Sequence, residues 1–204
     1  VEQQEQPKLR GKPVGIVPMM TESTCCIAAS YEAKAFGVKT GTGVREAMQL
    51  CPQIAFVVAR PELYVKYHDK IIAAVETCMH VEQVCSIDEM WTRLYANERD
   101  RETALTLARR CKAAIRQAVG EHVKCSVGIA PNVWLAKVAT DLEKPDGLSI
   151  IETDALPQCL EHLELTDLPG INKGMLRRLH AHNVFNIVQL HAQSEDRLSQ
   201  IWAS

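Results

Sequence analysis

Short apolar runs alternate with longer amphipathic stretches along this chain, and the alternation predicts strands interleaved with helices. Residues 14–17 and 25–29 are apolar runs separated by a polar turn, and both read as buried strands. A helix is expected to start after Ser30, whose hydroxyl suits an N-cap, and to end at Gly37. A second helix over 44–50 closes at Cys51-Pro52, and 54–58 reads as a strand. From Pro61 a longer helix carries Tyr64, His68, Ile71, Val75 and Cys78 along one stripe, which makes His68 a packed core histidine. Residues 81–85 and 90–95 form two sides of a hairpin, and a helix over 101–119 turns Ala104, Ala108, Cys111, Ile115 and Ala118 inward. Its basic residues, Arg101, Arg109, Arg110, Lys112 and Arg116, decorate the outside, a kind of face that is ordinarily solvated. A strand over 124–130, a helix over 132–142 and a short strand over 148–151 complete the alternation, which argues for an α/β or α+β sheet domain.

After about residue 163 the pattern changes, because 165–204 contains only helical periodicity. Leu168-Pro169-Gly170-Ile171, followed by a helix beginning at Lys173, has the form of a helix-hairpin-helix. The turn containing Gly170 brings backbone N–H groups to the surface beside a helix N-terminus, where a DNA phosphate can bind. Lys173, Arg177 and Arg178 add positive charge to that reading.

Composition narrows the class further. With 204 residues, 47% of them hydrophobic, the chain can bury a core as one large domain or two small ones. No apolar run approaches the roughly 18 residues that span a bilayer, and no signal peptide opens the chain, so no membrane partner is expected and the location reads as cytoplasmic. The eight cysteines are scattered without a Cys-x-x-Cys pair and read as reduced core thiols, and the lone His180-x-His182 lacks a second ligand pair for zinc. A net charge of −2 lacks the basic excess of a free-standing nucleic-acid binder, so DNA contacts have to be local or supplied by a further domain. The chain begins at Val1 and ends in a continuing apolar pattern, Ile201-Trp202-Ala203-Ser204, which reads as a fragment cut at both ends.

The candidate chemistry centres on Ser86-Ile87-Asp88-Glu89, an acidic pair at the expected hairpin turn. Adjacent carboxylates at a strand turn can hold Mg²⁺ where phosphates arrive. Two flanking segments offer the hydroxyl and cations a triphosphate needs. One is Ser30-Tyr31-Glu32-Ala33-Lys34-Ala35-Phe36-Gly37, in which Tyr31 and Lys34 share a helix face. The other runs from Gly128-Ile129-Ala130-Pro131-Asn132 through Lys137 to Lys144-Pro145-Asp146-Gly147. In this order, the three segments resemble the Y-family (translesion) DNA polymerases over essentially the whole chain.

The resemblance implies an α+β fold: a palm with a mixed, mainly antiparallel ferredoxin-like sheet over 1–12 and 54–162, small fingers over 13–53, and a helix-hairpin-helix thumb over 163–204. It implies two Mg²⁺ ions in the complete site, with Asp88 and Glu89 as ligands and catalytic residues. Tyr31, Lys34 and Lys144 become dNTP contacts, and Gly170, Ile171 and Lys173 contacts to primer–template DNA. A sliding clamp is a further partner, through sequence beyond these residues. The family's first acidic motif ends in a segment like Val1-Glu2-Gln3, so its metal-binding Asp and aromatic gate are not among these residues. Lys34 stands where most of the family has Arg, and Met90-Trp91-Thr92-Arg93 replaces the usual sequence after the acidic pair, marking a divergent branch. In the fingers, Gly37, Gly41 and Gly43 would leave room over a templating base. The alternative is a polymerase-like accessory protein that binds DNA or repair partners without catalysis.

Overall fold

A computed structural model describes residues 1–203 and divides the chain into two compact units, Val1–Lys124 and Cys125–Ser204. In the first unit the elements run α1 (Glu2–Glu5), β1 (Val14–Val17), β2 (Ala28–Ala29), α2 (Tyr31–Lys34), α3 (Val44–Leu50), β3 (Ala55–Val58), α4 (Pro61–Glu76), β4 (Val81–Val84), β5 (Met90–Thr92) and α5 (Arg101–Val119). The second contains β6 (Val127–Ile129), α6 (Val133–Leu142), β7 (Leu148–Ile150), α7 (Lys173–Ala181), α8 (Ile187–His191) and α9 (Glu195–Ala203). Among the described residues no helix is long and apolar enough to cross a membrane.

The class is α+β, with the strands divided among three small sheets rather than joined in one. β1 lies between antiparallel β2 and parallel β3, β4 pairs antiparallel with β5, and β6 pairs parallel with β7. The apolar run at 25–29 is buried in part as expected, but only Ala28–Ala29 forms a strand. The reason lies in its partners. The Cys26 N–H donates to Thr42 O at 2.8 Å, Gly41 N–H to Cys26 O at 2.8 Å and Val44 N–H to Thr24 O at 3.0 Å, so a loop satisfies this backbone in place of a neighbouring strand. Cys26, Ala33, Val38, Ala47 and Cys51 close a small core beneath it.

α4 packs against α5 and β4. Its buried residues are Tyr67, Ala74 and Val75, and Cys78 of the expected stripe lies beyond the helix end. On α5 the inward row is Ala104, Leu107, Ala108, Cys111, Ile115 and Val119; Ala118 is exposed, because steps of four residues after Cys111 keep the row on one face. In the second unit Val138 and Ala139 of α6 share one core with Leu165, Leu179, Val184 and Ile201, so the compositional change near residue 163 does not interrupt the packing.

The N-terminal segment is held by charge as well as by packing. Glu2 is 5% exposed and accepts from Arg60 through Nε at 3.1 Å and Nη2 at 2.5 Å, from Tyr64 Oη at 2.9 Å and from Gln6 Nε2 at 2.9 Å. Tyr67 Oη donates to Glu5 Oε1 at 2.5 Å. Burial opposes ionisation of Glu2, but the donors from Arg60, Tyr64 and Gln6 outweigh it and hold the carboxyl below its ordinary range. Burial, reinforced by the bond to Glu5, pushes the Tyr67 phenol up to about 12.

Two stability outcomes follow from this packing. A Cβ on Gly128 would lie 2.1 Å from Ala136 O and 2.6 Å from Thr140 N, both backbone atoms of α6, so only glycine lets β6 approach that helix. Gly128→Ala should cost about 1–3 kcal/mol and lower the thermal midpoint by roughly 2–10 °C; an unchanged midpoint would contradict the close approach. Glu2→Gln should cost about 1–3 kcal/mol at neutral pH, because it weakens a buried charge-assisted network. With the folded-state carboxyl below its ordinary value of 4.5, the stabilisation is present above that value and lost as pH falls through the folded-state value. Denaturant midpoints of parent and variant should therefore differ at pH 7 and converge as the pH is lowered through the folded-state value, whereas a constant gap would assign the effect to packing.

Candidate functional site

The acidic pair sits where β4 turns into β5, with Val84 opposite Met90 and Gln83 opposite Trp91. The Cys85 and Ser86 N–H groups both donate to Glu89 O, at 2.9 and 3.1 Å, which closes the turn. Inside it, Ser86 Oγ donates to Asp88 Oδ1 at 2.7 Å and accepts from Asp88 N–H at 3.3 Å. Ser86 thereby orients one carboxylate oxygen and leaves Asp88 exposed, as is Glu89. His68, expected in the core, is instead half-buried with Nδ1 2.8 Å from Ile87 O. A carbonyl oxygen can only accept, so Nδ1 carries the hydrogen.

Asp88 and Glu89 offer hard anionic oxygen, the donor type that Mg²⁺ prefers, and Mg²⁺ commonly takes one or two carboxylates with water and phosphate oxygens completing its shell. No group of three or more His, Cys, Asp or Glu side chains among the described residues is placed to hold a metal. The two carboxylates therefore fit the ion in kind and supply part of its coordination.

Tyr31 and Lys34 come together as the spacing predicts. Ser30 caps α2, its Oγ accepting from Ala33 N–H at 3.3 Å and from Val14 N–H at 3.0 Å, which fixes the helix start to β1. Both side chains are exposed, and Lys34 Nζ lies 4.7 Å from the centroid of the Tyr31 ring, a cation–π contact. Between them Glu32 turns the other way, and Gln3 Nε2 lies 3.2 Å from each of its carboxylate oxygens. Burial raises the Glu32 carboxyl, but backbone, Ser30 and Gln3 hydrogen bonds overcome it and hold the group below its ordinary range. Neither Gln3 nor Glu32 had a signal in the sequence pattern, since 29 residues separate them.

Lys144 and the hairpin belong to the second unit. Lys144 forms an ion pair with Asp141, and Lys137 Nζ lies 4.0 Å from the same carboxylate. The i,i+3 spacing of Asp141 and Lys144 is the signal in the sequence for this pair. An open cleft of about 350 Å³ runs from Lys137 and Asp141 to the loop 166–172. There Leu168-Pro169-Gly170-Ile171 forms a type II turn, with Ile171 N–H donating to Leu168 O at 3.1 Å and Gly170 at φ 98°. Asn172 caps α7 by accepting from the Gly174 and Met175 N–H groups at 2.9 and 3.0 Å. Trp134 Nε1 donates to Pro169 O at 3.2 Å.

This geometry separates the three expected DNA contacts. Gly170 and Lys173 are exposed, but Ile171 is buried in the core and its N–H is already used by the turn. Ile171 is thus an anchor of the hairpin, because a hydrophobic side chain that packs the loop down cannot also lie on its surface.

Residues 1–141 match the family described as IMS: impB/mucB/samB. DNA polymerase IV of Moorella thermoacetica is 36% identical over 189 residues, covering 90% of this chain and 47% of that protein. DNA polymerase IV of Pelotomaculum thermopropionicum is 37% identical over 192 residues, covering 93% of this chain and 47% of the relative. Among solved structures, DinB from Sulfolobus solfataricus has a TM-score of 0.84 at 29% identity, covering 98% of this chain and 58% of that one. An insertion ternary complex of Dbh DNA polymerase gives 0.85 at 28%, covering 98% and 59%. The chain spans about half the length of the polymerase IV relatives it matches. The family match over most of the chain, joined to the fold it shares with these polymerases, means that this chain belongs to the impB/mucB/samB family of Y-family DNA polymerases.

Proposed function

We propose that this chain carries palm, fingers and thumb elements of a translesion DNA polymerase, which joins a dNTP to a primer 3′-hydroxyl under template direction. The observation that carries this reading is the exposed Asp88–Glu89 pair on a turn closed by its own hydrogen bonds, within a chain of this family. Residues 1–12 and 54–162 serve as palm, 13–53 as fingers and 163–204 as thumb.

Asp88 and Glu89 would hold Mg²⁺, which when bound lowers the charge barrier at the attacking and leaving oxygens. The protein's own groups do the positioning. The Ser86 hydroxyl keeps Asp88 in one orientation, and the Tyr31 hydroxyl and Lys34 ammonium offer a donor and a charge from one helix face. Lys34 compensates phosphate charge as a point, without the bidentate fork that Arg would provide, so orientation falls more heavily on Tyr31. Lys144 supplies a second cation, which an incoming triphosphate draws from Asp141. The Gly170 turn and Lys173 receive the phosphates of primer–template DNA, with Ile171 anchoring the loop beneath them.

Primer extension by the full-length gene product tests this reading. Asp88→Ala should reduce extension by at least about 10²-fold while leaving primer–template affinity within about threefold of the parent. Extension near the parental rate would sink the metal assignment, and DNA binding without extension by either protein would favour a non-catalytic role. Lys144→Ala should raise the dNTP concentration for half-maximal extension roughly tenfold with a smaller effect on the maximal rate. An unchanged dose curve would remove Lys144 from the triphosphate site.

A further inference from the structure

We infer that His68 is a positioning residue for the acidic turn, acting through its hydrogen bond to the Ile87 carbonyl; the inference rests on the reading of Asp88 and Glu89 as metal ligands.

The turn's internal bonds give it a shape. Cys85 and Ser86 close onto Glu89 O, and Ser86 orients Asp88, but all these partners lie between residues 85 and 89. They would hold the same local geometry if the whole turn swung on its strands. Side-chain packing at the tip is weak, because Ile87 is 50% exposed. The bond from His68 comes from a different element: Nδ1 lies 2.8 Å from the carbonyl of the residue directly before Asp88, across 19 residues of sequence.

His68 is itself well placed to transmit rigidity. It lies near the middle of α4, one residue after the buried Tyr67, and α4 packs against α5 and β4. The bond survives either charge state of the ring, since Nδ1 carries a hydrogen both in the neutral tautomer that donates to a carbonyl and in the imidazolium. What His68 adds is a fixed distance between a packed helix and the peptide preceding the metal-binding carboxylate. Groups that orient metal ligands from outside the coordination shell typically alter metal affinity or activity by 10–100-fold when removed.

The test compares His68→Ala, His68→Leu and His68→Asn in the full-length gene product, with Asp88→Ala as control. The Asn amide nitrogen is separated from Cα by the same bonds as Nδ1 of histidine and can donate to the same carbonyl; Leu keeps bulk without a donor. Mn²⁺ binding is read by electron paramagnetic resonance, extension is measured against Mg²⁺ concentration, and thermal midpoints are recorded. The Ala and Leu variants should each raise the Mn²⁺ dissociation constant and the Mg²⁺ half-saturation about tenfold, with primer–template affinity and dNTP half-saturation near parental. The Asn variant should recover most of the loss. Parental metal dependence in the Ala and Leu variants would overturn the inference, as would equal impairment of all three. If Asp88→Ala retains Mn²⁺ affinity and extension, the acidic pair is not the metal site, and the underlying reading fails on that separate observation.

Discussion

The pairing of Glu2 with Arg60 is the interaction on which the first unit's geometry depends. It joins the N-terminal segment to the start of α4 across 58 residues of sequence, and Tyr64 and Tyr67 extend the attachment along the helix to Glu2 and Glu5. His68 then carries the same helix to the acidic turn. The rise from residue 60 to residue 68 is about 12 Å in an α-helix, so one rigid element sets the spacing between the N-terminal segment and the Asp88–Glu89 loop. α4 can serve in this way because it also packs against α5 and β4 and buries Ala74 and Val75. A short helix such as α1, only four residues long, could not hold its own position in isolation.

On the proposed reading, this arrangement reconciles a net charge of −2 with the binding of polyanions. Its acids and bases are sorted locally. Glu2 and Glu32 are each satisfied by donors from distant parts of the chain, so their charge is spent internally. Lys34 is held against an aromatic face, and therefore keeps its charge available to an incoming anion. Lys144 differs, because its partner Asp141 must be displaced or shared, and a pair this exposed contributes little on its own. A triphosphate, with several negative charges, competes well for such a lysine where a single carboxylate would not.

Much of this was legible in the sequence wherever the governing contacts are local. The cap at Ser30, the helices over 44–50 and 132–142, the strand at Val14–Val17 and the neighbouring placement of Tyr31 and Lys34 all depend on residues within about one helical turn or one strand. Local pattern is uninformative where remote partners decide. A run rich in apolar residues at 25–29 looks like a strand, but its backbone bonds to the loop at 41–44. Periodicity places His68 in the core because it registers the face of a helix and is blind to a carbonyl arriving from a hairpin. Ile171 and Gly170 belong to one turn motif, but Gly170 faces solvent while Ile171 packs into the core, a distinction the motif alone does not carry.

The second unit repeats the organisation of the first, with α6 in the part of α4. Near its N-terminus Trp134 holds the Pro169 carbonyl, and near its C-terminus Asp141 holds Lys144. Gly128 lets β6 lie directly on this helix, which fixes α6 to its sheet without an intervening layer of side chains. On the proposed reading, the cation for the triphosphate and the loop for the DNA backbone are thus referred to one helix. Any shift of α6 would move both contacts together, so nucleotide and DNA affinities should be coupled through helix packing. The type II turn strengthens this coupling: with Gly170 at positive φ and Ile171 buried, the loop has little freedom to move apart from the core that carries it.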